Sequence, residues 1–215
     1  MRQRKEETLP GALYRASQSV IEGDLVNMVL DREELPYEIR ELYPSRDGLL
    51  DNETMAEQGL PGTTTADISN AGRITGYIRE FVTHARPGAI QAGSDVAVAT
   101  LSHLFNNNHE VSLWMTERFL ADSQRAVGQD LGQGQMLVSV DLLQFDRFSD
   151  ETVGIRTLQT TPAGLVSSTV VDFRIGRLLG VAYLVSLGDV ERQQLVQQLG
   201  LELERKMVKV LLDAF

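Results

Sequence analysis

Hydrophobic and polar positions alternate with a period of two along much of the second half of the chain. Such alternation is typical of β-strands that bury one face. Residues 135–145, 152–160 and 164–175 show it, and a further apolar run follows at residues 178–187. The connections between these segments are short, whereas parallel strands need a crossover of about a dozen residues or more. We therefore predict four consecutive antiparallel strands.

Two further strands are predicted earlier in the chain. Ile74, Ile78 and Val82 lie in a run of alternating residues, and residues 96–101 form an apolar run after the turn at 86–88. Two such runs around a Pro-Gly turn favour a hairpin. Between residues 178 and 187 both faces are apolar, which predicts a central strand.

Turn and cap residues mark the remaining elements. Gly176 and Arg177 form a two-residue link with glycine first, as a type II′ hairpin requires. Asp31 is placed to cap a short turn, and Asp51 or Asn52 can cap a brief helix that runs through Gln58. Asn106–Asn108 offers a cap for a further helix.

The longest amphipathic pattern lies at the C-terminal end. We expect a helix from about Asp189, its predicted cap. Its apolar stripe consists of Leu195, Leu199, Leu203, Met207 and Leu211.

These elements predict one α+β domain over residues 1–215. We expect an antiparallel sheet of about six strands in the order β-β-α-β-β-β-β-α, with the helices packed on one face of the sheet. Residues 1–45 form an N-terminal helical arm, and residues 46–215 form the sheet-and-helix core.

Charge and composition exclude several classes of function. The 30 acidic and 20 basic residues give a net charge of −10, which disfavours contact with a phosphate backbone, so we predict no nucleic-acid binding. The chain has no cysteine and therefore no disulfide or thiolate metal site. Its longest strongly apolar stretch, 178–187, is about half of the ~20 residues that a membrane helix needs.

Catalytic motifs are missing from the sequence. It has no G-x-S-x-G elbow and no glycine-rich phosphate loop. His103 and His109 could meet at a metal only if their loop folds back, and cap or surface histidines are the simpler interpretation. Asp141 and Asp172 are the candidates for a pair of carboxylates in acid-base chemistry. We predict a protein that is not an enzyme and that has no catalytic residue, cofactor or metal.

Charged residues inside the predicted strands allow two interpretations. Arginines and aspartates on the open face of a sheet form ordinary cross-strand pairs. Alternatively, Tyr77, Arg79, Arg156 and Arg174 converge as ligand-binding residues for an anion, because guanidinium groups suit carboxylate or phosphate.

One short segment carries a resemblance. Leu35-Pro36, followed by the segment Ala71-Gly72-Arg73-Ile74-Thr75-Gly76-Tyr77, resembles uncharacterised bacterial exported proteins and lipoproteins with a GRITGY-type strand. This resemblance implies an extracytoplasmic location and brings no known activity. The order of elements is also similar to the PsbP-like fold, whose members are mostly non-catalytic binding or assembly modules.

The sequence therefore favours a non-enzymatic, extracytoplasmic binding or protein-interaction module for an unknown protein or small-molecule ligand. A small-molecule enzyme or sensor with an arginine-lined pocket is the alternative, and a structural homodimer is a third possibility. The chain has no apolar run of a signal peptide after its basic first residues. A protein whose leader has been removed would look the same as a cytoplasmic one, which is the alternative location.

Overall fold

A computed structural model describes residues 9–84, 90–132 and 134–213. Its strands form one sheet in the order β1-β2-β3-β8-β7-β6-β5-β4, and all neighbouring strands are antiparallel. The strands are β1 (Tyr43–Leu50), β2 (Arg73–Val82), β3 (Asp95–Phe105), β4 (Asp130–Gly132), β5 (Gln135–Leu143), β6 (Thr152–Thr161), β7 (Gly164–Ile175) and β8 (Leu178–Leu187).

The helices precede, interrupt and follow this sheet. They are α1 (Leu9–Ser17), α2 (Asn52–Glu57), α3 (Thr65–Asn70), α4 (Asn108–Leu113), α5 (Asp122–Arg125) and α6 (Gln193–Asp213). A π-helix (Trp114–Ala121) joins α4 to α5 without a break. Three short 3₁₀ turns follow α1: Glu22–Met28, Arg32–Glu34 and Tyr37–Ile39.

The mixed helix and sheet architecture and the antiparallel pairing are confirmed, but within the described residues the sheet has eight strands instead of about six. The prediction missed β1 and β4. Pro44, Asp47 and Gly48 give β1 a poor strand composition, and this edge strand begins at Tyr43, inside the predicted arm. The other edge strand, β4, has only three residues.

The helices cover both faces of the sheet, so the prediction of a single helical face is wrong. On one face, which we call the arm face, Val171, Phe173 and Ala182 pack against Leu199 and Leu203 of α6. The 3₁₀ turn Glu22–Met28 lies on the same face, where the Leu25 carbonyl oxygen accepts a hydrogen bond from the Ser102 hydroxyl at 3.0 Å.

The opposite face, which we call the cleft face, carries the shorter helices. Val111 of α4 and Met115 of the π-helix pack against Leu179 of β8. Met55 of α2 packs against a second cluster that contains Ile78 and Leu101. Two separate helical segments therefore stand on this face, one near β2 and one near β7.

Several local predictions are confirmed. Gly176 has a φ of 58°, and the register pairs Ile175 with Leu178, so the predicted two-residue turn is present. The predicted central strand, β8, lies fourth in the sheet. Asp51 caps α2, because its carboxylate accepts a hydrogen bond from the Thr54 backbone N–H at 2.8 Å.

Asp189 does not cap the last helix, which is a correction to the sequence prediction. Helix α6 begins at Gln193, after an irregular link. The Asp189 carboxylate instead forms an ion pair with Arg156 of β6. The apolar stripe of α6 is in the core as predicted, with Leu199, Leu203 and Met207 fully buried.

Candidate ligand-binding site

Tyr77 and Arg79 lie on β2, and their side chains are on the arm face of the sheet. The Arg79 guanidinium forms ion pairs with Asp31 of the arm and with Asp47 of β1, the latter at 3.1 Å. Lys206 of α6 also binds Asp31, at 2.8 Å, and this hydrogen bond holds the pKa of the Asp31 carboxyl below its ordinary value. Tyr77 packs against the arm-face core, and burial raises the pKa of its phenol. This cluster fastens the arm to the sheet and to α6.

Arg156 also projects to the arm face, but from β6. Its guanidinium contacts Asp141 at 3.4 Å, pairs with Asp189, and donates a hydrogen bond to the Val190 carbonyl oxygen at 3.0 Å. Three strands separate β6 from β2, which places Arg156 and Arg79 roughly 19 Å apart at a strand spacing of ~4.8 Å.

Arg174 lies on the opposite side of the sheet. Its guanidinium forms ion pairs with Asp150 at 3.0 Å and Glu151 at 3.3 Å. Glu151 also accepts a hydrogen bond from the Ser112 hydroxyl of α4 at 2.5 Å. The four residues predicted to converge therefore occupy three separate places, and each of the three arginines is paired with carboxylates of the chain itself.

The other candidate residues are also separated. Asp141 is exposed on the arm face, whereas Asp172 is buried on the cleft face, so the two carboxyls do not form a pair. His103 is buried in β3 beside Arg73, whereas His109 is exposed on α4. The two histidines therefore do not share a site.

A cleft of about 490 Å³ opens on the cleft face between the two helical segments. One wall comes from α2, α3 and the loop between them, with Met55, Leu60 and Ile68 as its apolar residues. Trp114 and Phe119 of the π-helix form the facing wall. Small-molecule sites commonly enclose about 300–1,000 Å³ and have mostly apolar walls with a few polar groups.

The π-helix explains how three large side chains share one wall. Its backbone is closed by i→i+5 hydrogen bonds, such as that from the Asp122 N–H to the Glu117 carbonyl oxygen. In this wider turn, residues i+4 and i+5 both lie above residue i. Trp114, Arg118 and Phe119 therefore all line the cleft, while Met115 points into the core.

Polar side chains line the sheet end and the rim of the cleft. Gln135 of β5 and Gln159 of β6 lie at the sheet end. Gln58, Thr63 and Ser123 lie along the helical segments, and the charged residues of the lining are Asp67, Arg118 and Asp122.

A buried arginine anchors the wall formed by α2 and α3. Arg73 is only 2% exposed, and its guanidinium donates to the Leu50 carbonyl oxygen at 2.6 Å, to the Asn52 side chain at 2.5 Å and to His103 Nδ1 at 3.1 Å. Burial lowers the pKa of this guanidinium to about 10, so it stays protonated at neutral pH. The start of α2 is thereby tied to β2 and β3 directly behind the cleft.

The GRITGY segment therefore holds the buried polar contacts of Arg73 behind the cleft and does not line the cleft itself. An added Cβ at Gly72 would lie 2.0 Å from the Glu110 carboxylate, and one at Gly76 would lie 2.4 Å from His103 Nδ1. Both glycines leave room for buried polar side chains. The sequence singled out this segment, but the strand pattern did not show that Arg73 points inward.

The cleft residues themselves were not predicted. Their sequence signals are indirect: a glycine and proline loop at 59–63 and an aromatic pair five residues apart, Trp114 and Phe119. Only the π-helix brings that pair onto one wall, and no sequence pattern of this chain indicated a π-helix.

Comparison with solved structures shows the fold. The chain is similar to the extracellular domain of PknH from Mycobacterium tuberculosis, with a TM-score of 0.56 and 10% sequence identity over 88% of this chain and 97% of that one. An uncharacterised protein from Mycobacterium smegmatis, an ortholog of Rv0999, is also similar, with a TM-score of 0.43 and 13% identity over 80% of this chain and 88% of that one. No family model and no curated protein matches the sequence.

Within the described residues, no helix combines the length and the hydropathy needed to cross a membrane.

Proposed function

We propose that this protein is a non-enzymatic, extracytoplasmic binding module and that it holds a small-molecule ligand in the cleft between α2–α3 and the π-helix. The observation that carries the proposal is the cleft itself: it is walled by Trp114 and Phe119 on one side and by Met55, Leu60 and Ile68 on the other. An apolar cavity with a few polar groups is the usual form of a ligand site.

The chemistry of the cleft supports binding without catalysis. A carboxyl that acts as a general acid near neutral pH needs a raised pKa. Asp67 shows the opposite, because hydrogen bonds from the Thr64 hydroxyl and backbone N–H lower its pKa. The carboxylate is thus stabilised in its ionised form and caps α3.

Two observations support the extracytoplasmic location. The segment around Arg73 resembles exported bacterial proteins, and the fold is shared with a domain that is described as extracellular. Fold similarity by itself is a weak argument for function, so the cleft carries the functional part of the proposal.

Trp114 provides a direct test, because it is the single tryptophan of the chain. A fragment library is screened by ligand-observed NMR, and each hit is titrated while the emission of Trp114 is followed. We expect saturable binding with a shift of the emission maximum.

A matched pair of variants separates the cleft from other surfaces. Ser123→Phe fills the cleft, whereas Gln198→Phe adds the same ring to an exposed position of α6 on the opposite face. We expect Ser123→Phe to abolish binding and Gln198→Phe to leave it unchanged. Hits that bind Ser123→Phe as well as the parent protein would refute the cleft as the site.

A further inference from the structure

The charged side chains of the cleft are already engaged by the protein. Asp67 accepts hydrogen bonds from the Thr64 backbone N–H at 3.0 Å and from its hydroxyl at 2.6 Å. Asp122 forms ion pairs with Arg125 at 2.5 Å and with Arg118 at 3.8 Å. The lining therefore carries two carboxylates and one guanidinium, and its net charge does not favour an anion.

The neutral polar groups of the cleft are free instead. Among the described residues, nothing hydrogen-bonds to the side-chain amides of Gln135 and Gln159 or to the hydroxyls of Thr63 and Ser123. Each amide offers both donors and an acceptor, and each hydroxyl offers one donor and acceptor lone pairs. The unused hydrogen-bonding capacity of the cleft is thus uncharged and of both polarities.

An aromatic wall lines the same cleft as these amides. Trp114 meets the ring of Phe105 edge to face, with centroids 5.5 Å apart and an interplanar angle of 67°. This contact fixes the indole from behind, while the same side chain lines the cleft together with Phe119. An aromatic surface and free amides in one cleft suit a flat ligand that has an apolar face and a polar rim.

From this juxtaposition, and resting on the proposed function of the cleft, we infer that the ligand is a neutral saccharide. A pyranose ring presents C–H groups on its faces, which pack on Trp114 and Phe119. Its hydroxyls both donate and accept, which matches the amides of Gln135 and Gln159. Among the described residues of the cleft, each charged side chain already has a partner within the protein, so a charged ligand gains no free partner of opposite charge there.

The probes are four β-1,4-linked tetrasaccharides that differ mainly in charge: those of glucose and N-acetylglucosamine, which are neutral, that of glucosamine, which is cationic, and that of glucuronic acid, which is anionic. Each is titrated into the intact protein at pH 6 while Trp114 emission is followed, with calorimetry as a second readout. We expect saturable binding of at least one neutral tetrasaccharide, at least tenfold tighter than either charged one.

Two glutamine variants test the contact itself. Gln159→Leu removes one free amide from the cleft, and Gln198→Leu removes an exposed amide from α6 as the matched control. We expect Gln159→Leu to weaken neutral tetrasaccharide binding about tenfold, which corresponds to ~1.4 kcal/mol, a usual value for a hydrogen bond. Gln198→Leu should bind as the parent protein does, and equal thermal midpoints will show that both variants are folded.

The outcomes distinguish the two proposals. If charged tetrasaccharides or apolar fragments bind and are blocked by Ser123→Phe while no neutral tetrasaccharide binds, the saccharide inference is wrong and the cleft remains a ligand site. If no tetrasaccharide and no fragment binds in a manner that Ser123→Phe abolishes, both proposals are wrong.

Discussion

The guanidinium of Arg73 donates to Nδ1 of His103 through two nitrogens, Nε at 3.1 Å and Nη2 at 3.0 Å. Because a guanidinium only donates, Nδ1 must be the acceptor, and the neutral imidazole carries its proton on Nε2. Both side chains are at most 3% exposed. A charged arginine and a neutral histidine thus form a polar core between β2 and β3, behind the wall of the cleft.

Replacing Arg73 by methionine should destabilise the protein. The change leaves the Leu50 carbonyl oxygen, the Asn52 amide and His103 Nδ1 without this donor in a buried setting. Hydrogen bonds to a charged group contribute ~1.5–3 kcal/mol each, and we expect a loss of at least that size in the free energy of unfolding.

The control for this change is Arg205→Met on α6. Arg205 is exposed and pairs with Glu202 one helical turn away, so its loss should cost under ~1 kcal/mol. Urea unfolding of both variants measures the difference. Equal midpoints for the two variants would contradict the anchoring role of Arg73.

His103 should make the stability of the protein fall in mild acid. Burial, with a smaller effect of the nearby Arg73 charge, lowers the pKa of this imidazole well below 6.5. Below pH 6.5 the unfolded chain therefore binds a proton that the folded chain does not. This contribution to stability is complete above pH 6.5 and decreases as the pH falls, by at most ~2 kcal/mol between pH 6.5 and 5.

His103→Asn tests this dependence, because an asparagine oxygen can replace Nδ1 as the acceptor for Arg73 and does not titrate. The variant should lose less stability than the parent protein between pH 7.5 and 5, as measured by urea midpoints. His109→Asn, at an exposed position, should keep the slope of the parent. An unchanged slope in His103→Asn would show that another group causes the acid sensitivity.

The sequence predicted the sheet better than the site for a physical reason. Alternation over residues such as those of β6 and β7 indicates burial of one strand face against neighbouring elements, and this is a local signal. The position of Arg73 depends on contacts with Leu50 and His103, which are 23 and 30 residues away. Such long-range partners leave no periodic pattern in the chain.

The predicted arginine site failed to assemble for a related reason. Tyr77, Arg79, Arg156 and Arg174 all lie inside strands. Local patterning predicted those strands, but it did not predict their order in the sheet or the face that each side chain occupies. Strands β3, β8 and β7 stand between Arg79 and Arg156, and Arg174 faces the other side. The carboxylates that pair with them lie mostly in loops and on the edge strands, where pattern analysis is weakest.

A methyl group at Gly76 should disturb the same polar core. Its Cβ would lie 2.4 Å from His103 Nδ1 and 2.6 Å from Arg73 Nη2, closer than real Cβ atoms approach other heavy atoms. Overpacking of a filled core costs ~1–3 kcal/mol. We expect Gly76→Ala to lower the free energy of unfolding by that amount.

Gly48→Ala is the matched control, since Gly48 lies in the neighbouring strand and an added Cβ meets nothing within 4 Å. Thermal unfolding should show little change in this variant, or a small stabilisation. If Gly76→Ala and Gly48→Ala have the same thermal midpoint, the protein does not require a residue without a side chain at position 76.

Asp172 should destabilise the protein increasingly as the pH rises. Its carboxyl is buried between Val153 of β6 and Val181 of β8, and its Oδ1 has no hydrogen-bond partner among the described residues. Burial raises its pKa well above 3.8. Above pH 3.8 the folded chain therefore retains a proton that the unfolded chain releases, so this group favours unfolding as the pH increases, until the folded-state pKa is reached.

Asp172→Asn removes that titration and keeps the shape of the side chain. We expect the variant to gain stability relative to the parent by up to ~1.4 kcal/mol per pH unit above 3.8, levelling off at the folded-state pKa. Asp141→Asn, at an exposed position of β5, should show no gain of this kind. Urea midpoints at a series of pH values measure both. If the difference in urea midpoint between Asp172→Asn and the parent were the same at every pH, the prediction would be wrong. The Asp172 carboxyl would then be ionised in the folded protein, and a partner outside the described residues would stabilise its charge.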